Sequence, residues 1–152
     1  MRPSTKFLTE LRKNSGLTVL KAKTGLQIKN CYFLQGLKGT RQEVYARKII
    51  DKKLNEAIVS LEPDYGLILY DAFRSRETQL ELFESFQKQF KSLHPEWSNE
   101  RLFLETSKSV AHPNDTSRFE VSPHNSGAAI DVGLFQKAKL QIWEPNLMIL
   151  PS

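Results

Sequence analysis

A histidine and an aspartate stand seven residues apart in the stretch Ser122-Pro123-His124-Asn125-Ser126-Gly127-Ala128-Ala129-Ile130-Asp131. Imidazole nitrogen and carboxylate oxygen are both ordinary zinc ligands, bound at about 2.0–2.2 Å, so His124 and Asp131 share an ion only if their side chains converge on one point. Seven residues of strand would part them by roughly 23 Å, and seven of helix by roughly 10 Å. The chain between them must therefore bend. Gly127 supplies a position free to take positive φ, and Ser126, Ala128 and Ala129 are too small to block a close approach of backbone or ligand. The apolar run Val132 to Phe135 that follows Asp131 reads as a buried strand.

The elements that must position this pair can be taken in chain order. Leu17-Thr18-Val19-Leu20 and Cys31-Tyr32-Phe33-Leu34 are short apolar groups separated by Lys, Gly and Asn, which predicts short strands and turns. From Thr40 the period becomes helical. Val44, Ile49, Ile50, Leu54, Ala57, Ile58 and Leu61 form one apolar stripe opposite a charged face, and Glu62-Pro63-Asp64-Tyr65-Gly66 stops it. Gly66 to Asp71 is a nearly continuous apolar run, as a central strand requires, with Arg74 just beyond its end. A second amphipathic helix is expected from Arg76 to Leu93, offering Leu80, Leu82, Phe83, Phe86 and Phe90 to the core. A third is expected from the cap at Ser98 to about Val110. Together these predict a single α+β domain spanning residues 1–152, with helices packed against a small mixed or antiparallel sheet that carries the zinc site.

Composition bounds what such a domain does. The chain has 152 residues, 39% of them hydrophobic and 26% charged, enough for one domain with a sizeable core. The net charge of +5 invites a nucleic-acid reading. Its densest stretch, Lys38 to Lys53, is interleaved with Glu43 and Asp51 and carries no aromatic ladder, so a solvated helix face is expected and no nucleic-acid partner. Cys31 is the only cysteine; beside Tyr32, Phe33 and Leu34 it reads as a buried structural thiol. No apolar run reaches the roughly 18 residues of a membrane span, and residues 1–16 lack the continuous apolar centre of a signal peptide. A cytoplasmic protein with no membrane partner is the expectation.

The stretch from Ser122 to Asp131 resembles the S-x-H-x-x-G-x-A-x-D signature of the VanX-type D-alanyl-D-alanine dipeptidases and their relatives, the zinc D,D- and L,D-carboxypeptidases that trim peptidoglycan peptides. A second match lies upstream: Leu67-Ile68-Leu69-Tyr70-Asp71-Ala72-Phe73-Arg74-Ser75 is similar to that family's strand ending in Y-D-A-Y/F-R-P. Two motifs in the right order cover roughly residues 40 to 135. The resemblance implies one zinc ion held by His124, Asp131 and a second histidine from a later E-x-x-W/H-H motif, whose glutamate acts as general base. It implies that Arg74 stabilises the oxyanion of the tetrahedral intermediate and that Ser122 holds the substrate's amino terminus. The implied reaction is hydrolysis of the small-molecule substrate D-alanyl-D-alanine. Arg76 competes with Arg74 in sequence, but reads as a surface residue at a helix start.

The residues after Asp131 hold no histidine, and their one glutamate, Glu144, follows Trp143 in the wrong order. The other histidines, His94 and His112, each precede a proline at a helix end, where an exposed loop histidine is the ordinary outcome. The tail Gln141-Ile142-Trp143-Glu144-Pro145-Asn146-Leu147-Met148-Ile149-Leu150 accepts codons whose alternate frame reads D-M-G-T-E-F-D-D-F, close to the family's D-M-G-T-x-F-D-x-F. The Trp143–Glu144 junction forces that glycine, and the Met148–Ile149 junction forces an aspartate. A frameshift between about Phe135 and Gln141 that cut short an ancestral dipeptidase is the expectation. A catalytically dead remnant or binding module is then the alternative to an enzyme, with exposed sheet edge and apolar surface that would favour a homo-oligomer. A peptidoglycan D,D-carboxypeptidase fits less well, since its substrate lies outside the cytoplasm.

Overall fold

The computed structural model describes residues 16–115 and 121–137. The tail from Gln141 to Leu150, on which the frameshift expectation rests, lies outside the described residues. The elements run β1 (Leu17–Leu20), β2 (Leu26–Ile28), α1 (Cys31–Leu34), β3 (Val44–Arg47), α2 (Lys48–Ser60), β4 (Tyr65–Asp71), α3 (Arg76–Leu93), α4 (Asn99–Ser109), α5 (Pro123–Ser126) and β5 (Asp131–Gln136). β1 and β3 form an antiparallel pair; β2, β4 and β5 form a mixed sheet with β4 in the middle, parallel to β2 and antiparallel to β5. The fold is α+β, as the sequence predicts.

β4 is central because its residues are apolar on both faces. Leu67 and Leu69 join a core of Leu20, Leu26, Val44, Ala46, Leu54 and Ala72. Their alternates Ile68 and Tyr70 are also buried, so β4 is covered on each side. Ile50, Ile58 and Leu61 bring the inner face of α2 onto that core, and Ile130 and Val132 bring in the start of β5. On α2's outer face Lys53 and Lys52 reach Glu56, at 2.8 and 4.0 Å. No helix among the described residues is long and apolar enough to cross a membrane.

Three local expectations need correction. The helical stripe does not begin at Thr40: Val44 and Ala46 are buried alternately on β3, and helix starts only at Lys48. Val44 fits a period of two as well as one of 3.6, and pairing with β1 decides between them. Cys31–Leu34 is a helical turn, because Asn30 caps it by accepting from the Phe33 N–H. Phe33 and Leu34 are thereby exposed, and Cys31 is half-buried, not a core thiol. Leu80 faces outward at 38% exposure, while Thr78, Gln79, Leu82, Phe83 and Phe86 make the buried face of α3.

The bend between His124 and Asp131 is a single helical turn and its stop. Ser122 caps α5, Pro123 opens it, and Gly127 ends it in the left-handed region at φ 72°. The Gly127 carbonyl accepts from the Arg47 N–H at 2.9 Å, and the Ser126 carbonyl from Arg47 Nε at 2.8 Å, so the turn is latched onto β3. A Cβ at position 127 would run into Leu17 Cδ2, the end of a half-buried side chain. Gly127→Ala therefore meets a left-handed backbone, costing about 1–2 kcal/mol, and displaces the end of the Leu17 side chain. Chemical denaturation should show a loss of at least that size, and a variant as stable as the parent would contradict the placement.

Candidate metal centre

The site forms where β4 ends and β5 begins, two ends brought side by side by antiparallel pairing in which Asp71 stands opposite Asp131. Antiparallel pairing, with a register shift between Leu69 and Asp71, thus places two carboxylates from residues far apart in sequence at one edge. α5 is then fastened across them. The Arg74 N–H donates to the His124 carbonyl at 3.1 Å, and Asn125 Nδ2 donates to the Arg74 carbonyl at 2.7 Å. These ties bring His124 over the strand ends.

His124 is held by its Nδ1, which lies 2.8 Å from the Ala72 carbonyl and 3.3 Å from Asp71 Oδ2. Both neighbours only accept, so Nδ1 carries the proton and donates. The opposite nitrogen, Nε2, faces Asp131 Oδ1 at 3.5 Å. Two ligands about 2.1 Å from a tetrahedral zinc stand about 3.4 Å from each other. The gap between Nε2 and Oδ1 therefore matches the edge that such an ion spans. Asp71, His124 and Asp131 form the metal-binding candidate group among the described residues, with potential ligand atoms all within 4.8 Å of one another.

The three are not equivalent. Asp71 is buried, and its Oδ2 accepts from Arg74 Nη2 at 2.6 Å and Nε at 3.1 Å. His124 and Asp131 line a cavity of about 620 Å³ together with Arg74, Ser122, Tyr32 and Gln79; Asp71 lies behind it, on the far side of Arg74. That arrangement puts a carboxylate behind the histidine, whose tautomer the Ala72 carbonyl fixes, and leaves the other nitrogen facing Asp131. His124 and Asp131 face the cavity, and Asp71 stands behind His124.

Arg74 is buried with only 10% of its side chain exposed. Nη1 donates to Gln79 Oε1 at 2.8 Å, the guanidinium lies 5.0 Å from the centre of the Tyr32 ring, and Nη2 stands 4.0 Å from Asp131 Oδ2. Burial disfavours its charge, but the Asp71 carboxylate more than restores it and the net shift is upward. Burial likewise pushes Asp71 up, against the pull of Arg74 and His124. Burial pushes the Tyr32 phenol up to about 12, so it stays protonated.

Each residue singled out in the sequence has a place. His124, Asp131 and Arg74 converge. Ser122 reaches the cavity, where its hydroxyl accepts from the Asn125 N–H at 3.3 Å and donates to Asn125 Oδ1 at 2.8 Å as the cap of α5. His94 stacks on Trp97 with centroids 3.9 Å apart, and His112 sits edge-on to Phe83 at 4.8 Å. Neither belongs to the metal-binding group. Arg76 is exposed and donates to Asn114 Oδ1. Sequence reading assigned no role to Asp71 or Gln79. The signal for Gln79 was available: residues 79, 82, 83 and 86 lie on one helix face, so an amide interrupts an apolar stripe.

Comparisons with protein-family models, with curated proteins and with solved structures find no match. The resemblance to the dipeptidases rests on the two sequence motifs.

Removing Asp71 strands a buried guanidinium, so Asp71→Ala should cost about 3–5 kcal/mol in urea unfolding; a loss under about 1 kcal/mol would show the pair to be solvent-screened. The His124–Asp131 pair gives a pH signature in protein without added metal. Burial lowers the affinity of His124 for a proton, but the bond to Asp131 and the Asp71 charge outweigh it and raise the pKa above 6.5. The bond from His124 holds Asp131 below its ordinary 3.8. The imidazolium's contribution is full below 6.5 and disappears as pH rises through the raised value; the carboxylate's is full above 3.8 and disappears as pH falls through the lowered one. The stability difference between the parent chain and Asp131→Asn should therefore be largest between about pH 4 and 6.5 and shrink on both sides. A difference flat across that range would rule out the pair.

Proposed function

We propose that this protein is a zinc-dependent hydrolase acting on the dipeptide D-alanyl-D-alanine, with His124 and Asp131 as metal ligands. The observation that carries the reading is the His124 Nε2 to Asp131 Oδ1 gap of 3.5 Å beside a cavity that also receives Arg74. Nδ1 is committed to the Ala72 carbonyl, so Nε2 is the nitrogen left for an ion. Zinc held there supplies a Lewis acid that polarises a peptide carbonyl and activates water near neutral pH. The Ala72 carbonyl keeps the imidazole in the ligand tautomer, and Asp71 keeps Arg74 charged. Three of the five guanidinium N–H groups are taken by Asp71 and Gln79, which leaves two for negative charge developing on the carbonyl oxygen. Ser122, at the same cavity, suits the substrate's amino terminus. Tyr32, neutral across the physiological range, offers a phenolic hydroxyl.

A second reading keeps the metal and drops the turnover. No glutamate is found among the described residues that line the cavity, and a general base on water is what this chemistry needs. A metal-binding module without catalysis follows if nothing else serves.

Zinc content and release of D-alanine from the dipeptide separate these readings, with His124→Ala as control. One zinc per chain and turnover, both lost in the variant, are expected of the dipeptidase. Stoichiometric zinc with no release would establish the inert module, and a parent chain that fails to retain zinc would sink both. Release from the free dipeptide, but not from an acylated peptide ending in D-alanyl-D-alanine, distinguishes a dipeptidase from a carboxypeptidase.

A further inference from the structure

Arg74 is oriented at its outer edge by one side chain, and that side chain has no freedom in how it does so. Gln79 lies in the first turns of α3 and is 2% exposed. Its Oε1 accepts from Arg74 Nη1 at 2.8 Å, and its Nε2 donates to the Ala111 carbonyl at 2.7 Å. A guanidinium only donates and a carbonyl only accepts, so the amide has a single orientation that satisfies both. No other side chain of this size does so: a carboxylate would satisfy Arg74 and repel the carbonyl, and an apolar chain would leave the Arg74 N–H and the Ala111 carbonyl without this partner. Asp71 grips the guanidinium through Nε and Nη2. Gln79 alone, among the bonds described, holds Nη1.

We infer that Gln79 is a positioning residue: it locks the guanidinium plane of Arg74 so that the two N–H groups left over face the cavity beside His124 and Asp131. The inference rests on the hydrolase reading for what those N–H groups do, and on geometry alone for the locking. It also links the site to the exit of α4, since Ala111 lies just beyond that helix. A shift of the Ala111 segment would reach Arg74 through one amide.

The test uses the full chain with Gln79→Met, which keeps length and removes both bonds, and Gln79→Glu, which keeps the acceptor. Nitrogen NMR of the Arg74 side chain, without added metal, reads guanidinium rotation directly. The parent and Gln79→Glu should show separate Nη signals, and Gln79→Met should show them averaged. With zinc added, affinity for a phosphinate analogue of the dipeptide, an anionic tetrahedral mimic, should fall about tenfold or more in Gln79→Met, the worth of one hydrogen bond to a charged group. Zinc affinity should change less than about twofold on the same scale. Unaveraged Nη signals in Gln79→Met, or a loss of zinc affinity equal to the loss of phosphinate affinity, would overturn the inference. A parent chain that binds zinc but not the phosphinate would count against the hydrolase reading instead, and the Nη signals would still decide Gln79.

Discussion

Burial of the Arg74 guanidinium is the constraint on which this structure depends. A charge so largely buried is tolerable only with a carboxylate in contact and hydrogen bonds to its inner N–H groups. Asp71 supplies the first requirement from the end of β4, and Gln79 supplies much of the second from α3. Tyr32 covers one face of the ion. A strand end, a helix start and a capped turn are therefore all arranged around one cation. Because Asp71 also stands behind His124, the same arrangement sets the charge that faces the imidazole. The electrostatics of the core and of the candidate metal centre are one network.

Much of this was legible in the sequence where a residue type leaves few choices. β4 could be read because its six buried positions, Gly66 to Asp71, admit no alternation, and α3 because most of its apolar residues recur at helical spacing. The need for a bend at Gly127 followed from ligand geometry, and the structure meets it with a left-handed glycine. Illegible were the features decided by partners remote in sequence. Val44 belongs to a strand because β1 is there to pair with it. Cys31 begins a helical turn because Asn30 outcompetes the β-propensity of the residues that follow.

The site shows the same division. His124, Asp131 and Arg74 could be named from the two motifs that resemble the dipeptidase signature, since a histidine and an aspartate seven apart are by themselves a common pair. Asp71 was hidden inside an apolar run whose last residue looks like a strand terminus. Its role appears only when antiparallel register sets it across from Asp131. Gln79 was hidden by a shift of one residue in the helix face, with Leu80 taken as the inward position in its place. A polar residue on a buried stripe has a partner to satisfy, and here the partner is the cation that organises the site.

The bond from His124 Nδ1 goes to a main-chain carbonyl, that of Ala72. Every amino acid carries such a carbonyl, so genetic change at position 72 cannot delete this acceptor. The tautomer of the histidine is inherited from the strand's backbone, not from any codon. Drift would then fall unequally on the two halves of the site: the imidazole's orientation is shielded from it, while the charge behind it hangs on the single side chain of Asp71.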